Sequence, residues 1–331
     1  MTKQQIAADY RRKYGQEMPT LTLAKILYHE RPMDFKDLEH ARSVLRIIEG
    51  KNGARAKKYI TDKSLFVEGA RPYNPYKLPE SYEEKQIKHR LALGNNNILI
   101  LSDIHAPYHN IAALSLAIDY GKAENINTVV LNGDIIDNHF QSKFQADLRK
   151  RRPKDEFDTC KAILRTIREA FPDAHIHWIK GNHDVRWERW LMQNAGFIWD
   201  DSYFSLEERL RLNEEKITLH DDRTIMEAGD LHIAHGHYLV SSTAPSAAKA
   251  LHDRTGGNFL MGHLHKRMAY SFRNADGKTA RSYITGCLCE KYPNYNPQKS
   301  QSECGFAHAM IEKDGSFTVK NIGVDDNKIL F

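Results

Sequence analysis

Residues 97–110 read NILILSDIHAPYHN. An apolar run of strand length stops at Ser102, and Asp103 and His105 follow it two residues apart. Side chains alternate between the faces of an extended chain, so this acid and this imidazole point to the same side. Such a couple at a strand end is either a surface pair or two ligands of one metal ion. The stretch alone does not separate the two.

Further along, other apolar runs end in the same way. TVVLNGD (128–134) leads to Asp134, with Asp137 and Asn138 close behind, and HIHWIKGNHD (175–184) leads to Asn182, His183 and Asp184. LHIAHGH (231–237) leads to His235 and His237, and NFLMGHLH (258–265) to His263 and His265. Between and after the early runs, 111–123, 139–149, 155–170 and 184–193 read as helices. This β-α-β-α alternation predicts a largely parallel, buried sheet. The later runs KITLH, LHIAHGH, NFLMGHLH, ARSYITG and GFAHAMI, within 216–311, predict a second sheet packed on the first.

In open α/β sheets ligands bind beyond the carboxyl ends of the strands. Five such ends would therefore converge on one place. Taken singly, D-x-H is common by chance, GD after a strand is a frequent turn, and H-x-H carries little weight in a chain with 17 histidines. All five in order, each directly after an apolar run, are not readily supplied by chance. Gly133, Gly181, Gly236 and Gly262 adjoin the candidate ligands and would allow close backbone approach.

The ordered set SDIH, NGDIID, GNHD, HGH and GHLH resembles the calcineurin-like metallophosphoesterase superfamily over roughly residues 97–310, with no ligand replaced. The resemblance implies an α/β fold, a four-layer αββα sandwich of two mixed sheets. It also implies two divalent transition-metal ions. Asp103, His105 and His265 would hold the first, Asn182, His235 and His263 the second, and Asp134 would bridge both. Carboxylate and imidazole donors suit Mn, with Fe, Zn and Ni as alternatives, whereas Ca or Mg would call for an all-oxygen cage.

The reaction implied is hydrolysis of phosphate mono- or diesters by a hydroxide bridging the two cations. His183 would give a proton to the leaving oxygen or a hydrogen bond to the phosphate. Asp184 would orient His183, or else cap the helix that begins there. Asn138, Arg186 and His237 are candidate substrate contacts. For Arg186 and Arg189 the plainer reading is a solvated face paired with Glu188 or nearby acids. Trp187 and Trp190 read as packing residues, and His175 and His177 as structural. VRWERWL (185–191) and GCLCEKYPNY (286–295) resemble phosphoesterases met in phages and prophages.

Residues 1–70 predict a helical, basic appendage. Helices are expected over 3–14, over 22–30 behind a Thr22 cap, and over 35–49 with Gly50 as the stop. The pattern resembles a helix-turn-helix unit, as any small helical bundle would. RPYNPYKLPES (71–81) has three prolines and opens a linker or strap over 71–96, leaving 97–331 for the metallophosphoesterase domain. Residues 1–92 hold 19 Lys/Arg against 12 Asp/Glu, while the remainder holds 29 against 31. With RKRRPK (149–154), this keeps nucleic acid open as a partner beside the plainer reading of a solvated basic surface. Two alternatives to a small-ester hydrolase follow: a DNA or RNA nuclease using the same centre, and a non-catalytic nucleic-acid-binding or scaffold protein.

Composition sets the outer bounds. Of 331 residues, 41% are hydrophobic and 27% charged, which supports a real core and excludes a disordered chain. No run approaches the ~20 apolar residues of a membrane span. The first fifteen residues lack the apolar stretch of a secretory signal, so a cytoplasmic protein is expected. Cys160, Cys287, Cys289 and Cys304 form no CxxC pair and are expected as reduced thiols, with a disulfide to Cys304 as the alternative. CEKYPNYNP (289–297) reads as a lid or a packed strap. The sequence carries no signal for oligomeric state.

Overall fold

The computed structural model describes residues 2–15, 18–52, 88–92, 96–141, 152–241, 246–275, 277–291 and 302–331, with residues 65, 76 and 79. The chain divides into two units, Met1–Ile87 and Lys88–Phe331.

In the first unit, α1 (Lys3–Tyr14), α2 (Thr20–Glu30) and α3 (Leu38–Ile48) pack together. Thr2 opens α1 with a capping box, its side chain accepting from Gln5 N while Gln5 reaches back to the Thr2 backbone. Asp37 caps α3 by accepting from His40 N. α2 starts behind Pro19, two residues before the expected position, so Thr22 lies inside the helix and does not cap it. Ile6, Leu23, Leu27, Phe35, Val44, Leu45 and Ile48 bury their side chains in one core.

That core contains an ion pair. Arg11 and Glu49 bond to one another with both side chains wholly buried. The remaining Arg11 and Glu49 valences are mostly used. Arg11 donates to the carbonyls of Gly15 and Met18 at 3.0 and 2.7 Å, and Glu49 accepts from Thr20 Oγ1 at 2.6 Å. One of the basic residues of the segment is therefore spent internally. Glu49→Ala leaves a guanidinium buried without its partner, which costs about 3–5 kcal/mol. Urea unfolding of the full chain should show the helical transition of this unit move to lower denaturant. An unchanged midpoint would show that the pair contributes nothing.

The second unit is an α/β sandwich. Its strands in chain order are β1 (Lys88–Arg90), β2 (Asn96–Leu101), β3 (Thr128–Asn132), β4 (His175–Ile179), β5 (Ile217–His220), β6 (Ile225–Ala228) and β7 (Leu231–Ala234). There follow β8 (Phe259–Met261), β9 (Met268–Arg273), β10 (Thr279–Ile284), β11 (Cys304–Ile311), β12 (Phe317–Asp325) and β13 (Lys328–Leu330). The helices used below are α4 (Ile111–Ala123), α5 (Pro153–Ala170), α6 (Arg186–Asn194), α7 (Leu206–Leu210) and α8 (Ala247–Thr255).

One sheet has the order β13-β12-β11-β2-β3-β4-β5, with β2 to β5 parallel and β11 to β13 antiparallel. The other has the order β1-β6-β7-β8-β10-β9 and is mixed. Two of the late runs expected in the second sheet belong to the first. KITLH gives β5, which extends the parallel ladder from β4, and GFAHAMI gives β11, which covers the open edge of β2. An uncovered β2 would expose unpaired backbone groups, and β11 removes that edge. The stretch expected as a linker contributes β1, paired in parallel with β6. Of the helix expected over 139–149, only a 3-10 turn at His139–Gln141 falls among the described residues.

Strand alternation sorts the core into layers. Leu99, Leu101, Val129 and Leu131 share a cluster with Leu114 and Ala117 of α4 and with Phe157 and Leu164 of α5. Their neighbours Ile98, Ile100 and Val130 meet Met226, Ile233 and Leu260 of the other sheet. On the far side of that sheet, Ala234 and Met261 pack with Ala248 and Leu251 of α8. Helix, sheet, sheet and helix follow in order, as expected. Each fully buried aliphatic side chain contributes about 1.5–3 kcal/mol, so these layers fix the strand ends firmly. All four cysteines are free and buried, so the disulfide to Cys304 is not formed. Among the described residues no helix is long and apolar enough to cross a membrane.

Candidate metal centre

The seven residues expected as ligands lie just beyond β2, β3, β4, β7 and β8, and they come together in two overlapping groups. In the first, His105 Nε2 and His265 Nε2 face each other at 3.2 Å, and Asp103 Oδ1 lies 3.2 Å from His265 Nε2. In the second, His235 Nε2 lies 3.2 Å from Asn182 Oδ1, and the His235 and His263 rings are 5.3 Å apart. Asp134 Oδ2 stands between the groups, 3.8 Å from His105 Nε2 and 3.3 Å from His235 Nε2. Asp103, His105, Asp134 and His235 are buried, and the other three are half-buried.

The backbone there is unusual. Asp103, His105, Asp134, His263 and His265 have φ of 56, 50, 52, 68 and 54°. Residues other than glycine rarely adopt this left-handed region, and each costs roughly 1–3 kcal/mol unless its surroundings enforce it. The loops after β2 and β3 enforce it mutually: Asp103 N donates to Gly133 O, and His105 N to Asp134 O, at 3.0 and 2.8 Å. Two glycines are required by contact. A Cβ on Gly181 would collide with the Asp134 carboxylate, and one on Gly133 with the His235 ring.

Hydrogen bonds fix which atom of each side chain faces inward. Asp103 Oδ2 accepts from Ser102 Oγ and His263 N, while Oδ1 has no hydrogen-bond partner among the described residues. Asp134 Oδ1 accepts from His183 N at 2.8 Å, leaving Oδ2 to the centre. His235 Nδ1 donates to Asn132 O at 2.9 Å, and His105 Nδ1 donates to Asp137 Oδ1 at 3.0 Å, which turns both Nε2 atoms inward. His263 Nδ1 is buried with no hydrogen-bond partner among the described residues. Converging lone pairs on buried carboxylate, imidazole and amide atoms fit a pair of divalent cations. Burial opposes a charge on His235, but the adjacent Asp134 outweighs it and carries the ring up to about 9. Burial likewise favours a neutral Asp134, yet His235 and His183 hold its carboxyl well below the usual range.

The supporting residues differ from expectation. Among the described residues Asp184 makes no hydrogen bond to the His183 ring, and α6 has no side-chain cap. Its carboxylate accepts from the backbone N–H of Asp134, Ile135, Ile136 and Gly181 and from Trp178 Nε1. Burial, then the charge of Asp134, push Asp184 up to about 6 against those donors. The carboxylate at His183 is Asp137, whose Oδ1 lies 3.0 Å from both His183 Nδ1 and His105 Nδ1. The sequence reading left Asp137 as a turn residue or as a support behind the ligands, and could not name its partners, because the contact with His183 joins loops more than 40 residues apart.

Asn138, expected to touch substrate, is wholly buried, and its amide donates to the His183 and Asp184 carbonyls. Arg186 turns inward and does not pair with Glu188: Nη2 lies 2.9 Å from His183 Nε2 and Nη1 donates to Asp137 O. Glu188 pairs with Lys180, and Arg189 with Asp222. His237 lies beside His235 and His263 and meets Asp222 at 3.5 Å. Residues 149–151 of the basic run and 292–297 of the Tyr-rich segment lie outside the described residues.

Residues 97–267 match the family model of calcineurin-like phosphoesterases. The chain belongs to this family. The phosphoesterase is accordingly a metal-dependent hydrolase of phosphate esters, in a family whose centres are dinuclear. Among curated proteins none matches it in sequence. In structure it is similar to Vacuolar Protein Sorting 29 from Cryptosporidium parvum, at 12% identity and a TM-score of 0.39, over 71% of this chain and 95% of that one. It is similar to a dimetal phosphatase from Danio rerio at 14% identity and 0.36, over 69% and 95%. The phosphoesterase Yfce from E. coli gives 13% and 0.37, over 68% and 98%.

Proposed function

We propose that the phosphoesterase hydrolyses phosphate mono- or diesters at a two-cation centre. Asp103, His105 and His265 would hold one cation, Asn182, His235 and His263 the other, with Asp134 shared. The observation that carries this reading is the placement of Asp134 Oδ2 between His105 and His235, at 3.8 and 3.3 Å. Mn is the first cation to test, then Fe, Zn and Ni. When bound, the cations supply Lewis acidity that activates water and offsets charge on the phosphoryl oxygens.

The chain's own groups position the rest. Asp137 holds His183 by Nδ1, so Nε2 is the atom from which a proton would pass to the leaving oxygen. Arg186 places a guanidinium 2.9 Å from that nitrogen, a fixed positive charge beside an anionic substrate. Asn182 contributes a neutral oxygen, which avoids further negative charge there.

A substrate panel tests the reading. Chelator-stripped protein resupplied with Mn should turn over p-nitrophenyl phosphate or its bis-ester, with cyclic nucleotides, single- and double-stranded DNA, and RNA assayed alongside. Cleavage confined to polynucleotides would redirect the assignment to a nuclease. No activation by any of the four cations would overturn it.

A further inference from the structure

We propose that His89, His177 and His220 form a separate three-histidine site for a zinc-class divalent cation, which ties together the edge strands of the two sheets. β1 is the outer strand of one sheet and β5 the outer strand of the other. His89 comes from β1, His220 from β5, and His177 from β4 beside it. Register shows that all three face the layer between the sheets. His89 pairs with Met226 and His177 with Val130, both of them inter-sheet core residues, and directly paired residues share a face. His220 pairs with Ile179 of the same core.

One ring nitrogen from each histidine falls within 4.8 Å of the other two. His177 Nδ1 and His220 Nε2 are 3.1 Å apart, and the His89 ring centre is 4.4 Å from that of His220. Zn–N bonds of about 2.0–2.1 Å at tetrahedral angles place ligand nitrogens about 3.3 Å apart. The His177–His220 spacing therefore already matches one edge of a tetrahedron. Burial, then the neighbouring histidines, keep His177 and His220 neutral, and burial does the same for His89. Neutral imidazole is the state that binds a metal.

The surroundings do not oppose a cation. Lys88 and Arg90 alternate to the opposite face of β1, where Glu227 takes both. Lys180, close to His220, is paired with Glu188 and Asp221 at 3.0 Å each. Of the three histidines His220 borders a pocket of about 140 Å³, lined also by Lys180, Glu188, Leu219 and Asp221. The donor set also differs from that of the catalytic centre. It contains no carboxylate, and three imidazoles favour Zn, Ni or Cu over Mn, the weakest binder of the divalent series. The site does not depend on the hydrolytic reading above.

The test uses the full-length protein, stripped and then loaded with zinc, with metal counted per chain. Wild type should retain one equivalent more than His89→Gln or His220→Gln, while the Mn-dependent activity of both variants stays unchanged. A second measurement needs no variant. In Mn-saturated wild type, added zinc should protect His89, His177 and His220 from diethyl pyrocarbonate, read by peptide mass mapping. Equal zinc content in wild type and active variants, or unchanged modification of the three rings, would mean a packed histidine cluster only and would overturn the site.

Discussion

Asp134→Asn should empty the centre of both cations and lower kcat/KM by more than about a thousandfold, beyond the loss of any single electrostatic contact. The substitution keeps the shape of the side chain and removes its charge. Oδ2 is the atom nearest to both ligand groups, so an amide there weakens both at once. Oδ1 accepts from His183 N, so an amide nitrogen turned that way would oppose a donor with a donor. Manganese content by elemental analysis should fall from ~2 per chain to well under one. The β-rich circular dichroism should persist, since the layers of apolar side chains lie elsewhere. A variant that keeps two cations and loses less than about tenfold in rate would remove Asp134 from its shared position.

His183→Asn separates a different function from metal binding. Loss of a positioned proton donor lowers turnover by about 10²–10⁴-fold, and the loss should grow as the leaving group becomes poorer. An alkyl phosphate should therefore suffer far more than a p-nitrophenyl ester, whose leaving oxygen needs little help. Both cations should remain, because no expected ligand is removed. Equal losses on the two esters, or survival of alkyl-ester turnover, would assign His183 to phosphate contact instead of proton transfer. Asp137 enters this experiment as a control. It holds both His183 and His105, so its replacement should reduce turnover and metal content together.

The centre was legible in the sequence because each candidate ligand directly follows a buried strand. An apolar run that stops at Asp103, Asp134 or His235 marks both a strand end and what the strand presents there. The four-layer order was legible for the same reason, since runs such as Ile98–Leu101 have no polar face. What stayed hidden depends on pairing between distant segments. β11 joins β2 across some 200 residues, and no local property of GFAHAMI chooses between the two sheets. Asp137 looks like a turn residue until two loops bring His105 and His183 to the same oxygen. The cluster of His89, His177 and His220 is assembled by strands of three to five residues, one of them inside a stretch that proline content marks as a strap. Thr22 misled because Pro19 starts the helix earlier, and proline sets a helical φ without needing a donor.

The reach of Asp184 has a consequence for how the protein acquires its ions. A single carboxylate gathers the N–H groups of four residues around Asp134. Asp134 is thereby held by hydrogen bonds of the protein itself and not only by the ions it would share. Cation loading should therefore leave these loops in place, and the occupant should follow whichever suitable metal is most abundant in the medium.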